Sequence, residues 1–468
     1  MRDVGDLAVV LHTHMPYVEG FGTYPFGEEW LFDAVARSHL PVLEAAHGVT
    51  VTVSPVLADQ LEAPGVVDRL RAFLHEHRLG AAERDAAAGP AELRPAAGAE
   101  AARYRRALNA IESLGGRPLD AFRDAEGEGR VALVPSAATH AVLPLLATLA
   151  GRRLQVDAAL RSHRRRFGRA EGFWLPECGY APGIDGLLAE RGLAFFCADQ
   201  SAHEASGDAL TPIRSPAGPV AFTLDWETIS LVWSWEGYPA DPAYLEYHRQ
   251  SASGTRLWAV GRSPYDPGAA SRRADEHASE FVEAVAARLE AFRREGGRAG
   301  VVTFAIDTEL LGHWWSEGPE WLAAVVRRAP ERGVRLVTLP EALRRHDPES
   351  RPLRTSSWGE GKDLSTWDGP QVADLAWGAR RLELRLLREL GGGHLAPTSA
   401  ARAARELLAV QSSDWAFLDS KRQAGDYPFR RAVDHARCFL EAIDSRQALE
   451  PRMRNLAPDL RLAPLIEA

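Results

Sequence analysis

The chain has 468 residues, 46% hydrophobic and 25% charged, which is enough apolar material for two or three domains and excludes a largely disordered protein. Its formal charge of −9, from 55 basic and 64 acidic residues, leaves no basic footprint for nucleic acid and suits a neutral polymer. Three cysteines, Cys178, Cys197 and Cys438, have none of the paired spacings of a zinc site or disulfide framework, so a reducing compartment is expected.

The first apolar stretch, Leu7 to Leu11, is too short for a signal-peptide core and stops at His12. No later segment reaches the ~18 uninterrupted apolar residues of a membrane span, so a cytoplasmic protein is expected, with no membrane partner. Strand-length apolar runs then recur at Thr50–Val53, Val131–Val134, Gly172–Leu175, Ala194–Cys197, Val301–Ile306 and Arg335–Leu339. With Leu7–Leu11 they make seven, separated by stretches of helical periodicity, and that alternation predicts a parallel α/β barrel. The Ala-, Arg- and Glu-rich stretch from Val66 to Glu112 reads as packing helices.

From about residue 201 to 267 the texture changes to dense Pro, Gly, Trp and Tyr, and Val220–Trp235 reads as a hairpin, so an inserted capping region is expected. After Pro340 the strands stop, and Asp374–Leu390, Ser399–Gln411 and Phe429–Ala442 read as amphipathic helices. The expected organisation is a catalytic barrel over residues 1–345 and a helical domain over 346–468. The latter includes an aperiodic loop, 356–367, that carries Trp358 and Trp367.

Two carboxylates stand at the ends of strand-like runs among aromatics: Glu177 in Phe173-Trp174-Leu175-Pro176-Glu177-Cys178, and Asp307 in Phe304-Ala305-Ile306-Asp307 ahead of His313-Trp314-Trp315. In a parallel barrel such ends converge on one concave face. A retaining glycosidase needs two carboxyls there, a nucleophile and an acid/base about 5 Å apart, and apolar walls keep the acid protonated. His12 and His14 alternate, so on a strand both face one way. They suit sugar hydroxyls better than a metal, because His140, His313 and Asp59 complete a ligand set only if the fold gathers them. Thirteen tryptophans, among them Trp30, Trp258, Trp358, Trp367 and Trp415, favour an extended groove for pyranose rings. The run Arg161–Arg166 reads as a solvated helix face.

These motifs give the chain a resemblance to glycoside hydrolase family 57, and within it to the 1,4-α-glucan branching enzymes. It is carried by His12-Thr13-His14-Met15-Pro16-Tyr17, Glu28-Glu29-Trp30-Leu31, Ser54-Pro55-Val56-Leu57, Ala138-Thr139-His140, Trp174-Leu175-Pro176-Glu177-Cys178, Asp307-Thr308-Glu309-Leu310-Leu311-Gly312-His313-Trp314, Ser357-Trp358-Gly359-Glu360-Gly361 and Gln411-Ser412-Ser413-Asp414-Trp415. The resemblance implies an incomplete (β/α)7 barrel with an inserted region and a C-terminal helical domain. It implies a retaining mechanism with no metal or other cofactor. Glu177 would be the nucleophile and Asp307 the acid/base, with His12, His14, Trp30, His140, Trp258, His313, Trp358, Trp367, Asp414 and Trp415 lining the glucan grooves. The implied partner is an α-glucan, with no obligate protein partner. The loop Trp233–Pro239 and the stretch between Tyr247 and Gly254 are shorter than is usual there. They bear on whether water or a sugar hydroxyl intercepts the glycosyl-enzyme. An α-amylase or 4-α-glucanotransferase of that family is the alternative, followed by a metal-dependent hydrolase or deacetylase and a non-catalytic glycan-binding protein.

Overall fold

The computed structural model describes residues 4–19, 27–203, 209–393, 395–445 and 455–466. The outermost ends of the two expected domains, 1–3 and 467–468, and residues 204–208 of the expected capping region lie outside the described residues. Among the described residues ten strands occur in chain order: β1 (Gly5–Thr13), β2 (Val49–Val53), β3 (Val131–Pro135), β4 (Gly172–Phe173), β5 (Phe195–Ala198), β6 (Ile213–Arg214), β7 (Val220–Thr223), β8 (Val301–Asp307), β9 (Val334–Leu336) and β10 (Glu349–Ser350). They hydrogen-bond into two sheets. One runs β3-β2-β1-β8 with β9 also on β1, the other β10-β6-β7-β5-β4.

Two seams join these sheets. Ser136 and Trp174 form a parallel bridge just beyond β3 and β4, where the Trp174 N–H donates to Pro135 at 2.9 Å. On the other side the Asp225 N–H reaches the Thr303 carbonyl at 2.9 Å, and the Val301 N–H reaches Leu210 at 3.0 Å. Seven parallel strands therefore follow one another as β1-β2-β3-β4-β5-β7-β8, the order expected of an incomplete (β/α)7 barrel. All nine residues of β1 are buried, as a strand flanked by partners and covered by helices requires.

The membership of the ring differs from the sequence expectation at one place. Its sixth strand is β7, which the expected set of seven did not include, and the expected run Arg335–Leu339 supplies only the short β9, which pairs with Gly5–Leu7 at the amino end of β1. Nor is Val220–Trp235 a hairpin. β7 pairs antiparallel with β6 before it, and after it comes a helix, Trp226–Val232. Asp225 explains the turn, because its carboxylate accepts the Thr228 N–H at 3.2 Å and caps that helix.

The stretch from Val66 folds into helices Val66–Phe73, Gly80–Ala88 and Arg94–Ser113. Beyond β10, helices Ala373–Gly391, Pro397–Val410, Ser413–Ser420 and Tyr427–Asp444 make an all-helical C-terminal region. One apolar cluster ties this region to the barrel, uniting Ala150, Leu154 and Ala158 of helix Leu149–Phe167 with Leu386, Leu407 and Phe439. Arg166 of the expected solvated run instead turns inward onto Asp59 at 2.6 Å. Among the described residues no helix is long and apolar enough to cross a membrane.

Candidate active site

Glu177 follows β4 in a tight turn, Pro176–Cys178, at φ 60° and ψ 20°. That left-handed conformation is uncommon for a residue with a Cβ, and strain of this kind concentrates at functional sites. His140 at φ 59° shares it. Asp307 ends β8, where it is the register partner of His12 on β1. Its turn is pinned by the Thr13 and Thr308 hydroxyls, 2.8 Å apart, and by Ser38, which donates to the Thr308 carbonyl at 2.8 Å. Strand ends thus deliver both carboxyls and the histidines to one face.

A directional hydrogen-bond chain ends on Glu177. Ser413 donates to Glu177 Oε1 at 2.8 Å, so its oxygen accepts from His140 Nδ1 at 2.8 Å. That places the His140 proton on Nδ1, and His140 Nε2 accepts from His12 Nε2 at 2.8 Å. His12 Nδ1 in turn accepts from the Thr52 hydroxyl at 2.6 Å. Each imidazole needs one proton in this scheme, and burial, then the charge of His14, holds both His12 and His140 well below the ordinary histidine range. The other carboxylate oxygen, Oε2, accepts from the Trp358 indole N–H at 2.8 Å, and the Trp358 amide donates to the Glu177 carbonyl at 3.0 Å.

His14 behaves differently. Burial opposes its charge, but Asp414 overcomes that, helped by Glu309 and Glu177, and its affinity for a proton rises. Both Asp414 oxygens lie 3.1 Å from His14 Nε2, and Ser54 Oγ lies 2.8 Å from Nδ1. Glu309 accepts from the His14 amide at 3.2 Å and from His39 Nε2 at 2.6 Å. The imidazoles stack: His14 on His140 with centroids 4.2 Å apart, and His12 on Trp174 at 4.8 Å.

Burial pushes the Glu177 carboxyl up to about 7, and the Trp358 and Ser413 donors hold it from going further by stabilising the anion. Asp307 is driven well above the carboxylate range by burial, then by the charges of Glu309 and Glu177. Its own turn gives it no capping hydrogen bond. One acid is therefore equipped with donors for its anion, and the other is surrounded by conditions that keep its proton.

His14, His140 and Asp414 offer ligand atoms within 4.8 Å of one another and could hold a metal ion. Each ring nitrogen involved already has a protein partner, so the trio fits a hydrogen-bonded cluster at least as well. Asp59 stands apart, bonded to Arg166 and to the Ala457 amide at 2.7 Å. His313 accepts or donates to the Tyr247 hydroxyl at 3.2 Å, below the half-exposed Trp314.

The tryptophans divide. Trp30, Trp258 and Trp358 are partly exposed, with Arg249 over the Trp258 ring at 4.2 Å. Trp367 is buried beside Val142, Val372 and Ala416, and Trp415 is buried with its N–H on the Ala409 carbonyl at 2.7 Å. Ser413, Ser54, Thr52, His39 and Glu309 belong to the site but were not singled out by sequence. Ser54, Glu309 and Ser413 lie inside motifs that carry the resemblance but received no role there, and Glu309 and Ser413 each sit within two residues of a singled-out acid.

The glycosyl hydrolase family 57 model matches residues 8–353, and a model for the 1,4-alpha-glucan branching enzyme C-terminal region matches residues 391–457. A 1,4-alpha-glucan branching enzyme of Thermococcus kodakarensis is 32% identical over 493 residues, spanning 93% of this chain and 73% of that one. The crystal structure of a branching enzyme of the same type from Pyrococcus horikoshii superposes with a TM-score of 0.93 at 30% identity, covering 99% of this chain and 97% of that one. A second, from Thermococcus kodakaraensis in complex with glucose and additives, gives 0.91 at 29% identity over 99% and 96%.

Proposed function

The chain belongs to glycosyl hydrolase family 57, and on that premise we propose that it is a retaining 1,4-α-glucan branching enzyme with Glu177 as nucleophile and Asp307 as acid/base. Glu177 attacks the anomeric carbon of an α-1,4-linked glucose while Asp307 protonates the departing oxygen, leaving a glycosyl-enzyme. Asp307, now ionised, takes the proton from the 6-hydroxyl of an acceptor chain, whose oxygen displaces Glu177 and closes an α-1,6 bond. Water in place of that hydroxyl gives hydrolysis. The observation that carries the division of roles is the unequal treatment of the two acids: two neutral donors on Glu177, and burial beside anions for Asp307.

His14, whose hold on a proton Asp414 strengthens, offers a polar ring to sugar hydroxyls, and His12 and His140 present neutral rings. Trp30, Trp258 and Trp358 offer faces for pyranose stacking, and His313, beside Tyr247 and Trp314, offers a ring nitrogen to a more distant sugar. Trp367 and Trp415 serve by packing beneath the loops that carry Trp358 and Asp414. On this reading residues 1–345 form the catalytic unit, with a cap at about 201–267, and 346–468 form a helical domain that finishes the site. The substrate is an α-glucan of the cytoplasm.

Incubation with amylose, followed by proton NMR for α-1,6 anomeric signals and a reducing-end assay, tests the reading. New branches should outnumber new reducing ends. Glu177→Gln should abolish turnover, and Asp307→Asn should lower it about 10²–10⁴-fold. Near-full activity of Glu177→Gln would overturn the assignment.

A further inference from the structure

Lys362 and Lys421 are the only lysines of an arginine-rich chain, and both fasten the loop that carries Trp358. Lys421, from the helical region, meets Glu360 at 2.6 Å, but Glu360 is exposed and such a contact contributes little. Lys362 is placed otherwise. Its ammonium lies 3.1 Å from Asp199 Oδ2 and 3.3 Å from the centre of the Trp226 ring. Asp199 is fully buried just after β5 and accepts from the Trp226 indole at 2.6 Å; Trp226 opens the helix after β7. A compact ammonium satisfies carboxylate and π face together, a fit that a planar guanidinium does not reproduce.

The backbone points the same way. Lys362 stands at φ 56°, where glycine is the default residue, so the chain accepts a strained conformation to have this side chain there. Around it the turn is closed: the Lys362 amide donates to Gly359 at 2.9 Å, and its carbonyl accepts from Ser357 N at 3.3 Å and from Ser201 Oγ at 3.4 Å. Four residues before Lys362 comes Trp358, whose side-chain and main-chain N–H groups both end on Glu177.

We propose that Lys362 is a positioning residue for the nucleophile: clasped between Asp199 and Trp226, it locks the 357–363 turn to the barrel so that Trp358 keeps its hydrogen bond on Glu177. The proposal rests on Glu177 being the nucleophile. Releasing the clasp frees Trp358, and the Glu177 anion loses one of its two donors. The groups facing Glu177 are Ser413, Trp358, His140 at 3.5 Å, and the charges of His14, Asp414 and Asp307; those facing Lys362 are Asp199 and the Cys178 thiol.

The test is the pH profile of kcat/KM on amylose for the full chain and three variants. Lys362→Met should lower kcat/KM about ten- to a hundredfold and move the acidic limb upward by at least about half a pH unit. Lys362→Arg, which keeps the charge, should recover part of both. Lys421→Gln should leave the limb in place. An unmoved limb in Lys362→Met, or an equal displacement in Lys421→Gln, overturns the clasp. Should circular dichroism show that Lys362→Met does not fold, Lys362→Gln against Lys362→Arg reads the same limb. Activity in Glu177→Gln would sink the nucleophile assignment instead, a separate result.

Discussion

The side chains around Glu177 make its ionisation a negotiated quantity. Burial alone would keep the acid neutral; Trp358 and Ser413 bring it back to about 7, within reach of the working pH. Ser413→Ala removes one donor and leaves the His140 Nδ1–H without its acceptor. The acidic limb of kcat/KM should then move up, and activity near neutrality should fall about tenfold, since a hydrogen bond to a charged group contributes about 1.5–3 kcal/mol. Thr52→Val, at the far end of the chain, should have a smaller effect in the same direction. Stability follows the opposite sense. A carboxyl whose affinity for a proton is raised from 4.5 to about 7 by folding stabilises the fold while protonated, and that contribution is lost as pH rises through this window. Glu177→Gln should therefore be more stable than wild type at pH 8, by about 1–3 kcal/mol in denaturant unfolding, with no gain at pH 4. The two acids and the histidine pair were legible in the sequence because strand ends and an alternating pattern fix where they point. Thr52, Ser54 and Ser413 were not, since small hydroxyl residues follow no period and gain their role only when segments 40 to 273 positions apart meet.

At the level of single elements, the turn after β8 shows how little freedom the site has. Gly312 lies at φ 97°, and a Cβ there would sit 1.9 Å from the Arg37 carbonyl oxygen. Arg37 is itself buried, held by Glu100 at 2.6 Å and Ser316 at 2.9 Å, so it cannot retreat. Gly312→Ala should cost about 3 kcal/mol, read from the shift of the urea midpoint, and should displace Asp307 enough to lower kcat more than it raises KM. Most strands and long helices were readable from hydrophobic period. The helix Ser413–Ser420 was not, because it is only eight residues long and buries Trp415 and Ala416 without an amphipathic stripe. The aromatic-rich run after residue 220 misled for another reason: a capping aspartate, Asp225, turns strand into helix where the composition suggested a second strand.

Across the whole molecule the barrel and the helical region share a core that spans the expected boundary near residue 345. Ala138, Leu154 and Ala158 pack in the same cluster as Leu386, Leu408 and Phe439, and buried Glu383 accepts from Thr148 N at 2.8 Å and from Gln411 Nε2 at 2.9 Å. Calorimetry should give one unfolding transition with equal calorimetric and van't Hoff enthalpies; two resolved peaks would show independent units. The sequence made the change from alternating to all-helical texture plain, but the shared cluster is built mostly from alanines and leucines, which recur in most of the helices, so nothing local marked them as partners. A consequence concerns biosynthesis. Both donors that ready Glu177, Trp358 and Ser413, follow every strand of the barrel in the chain. During synthesis every barrel strand therefore emerges before either donor, and Glu177 gains both hydrogen bonds only once residue 413 has left the ribosome.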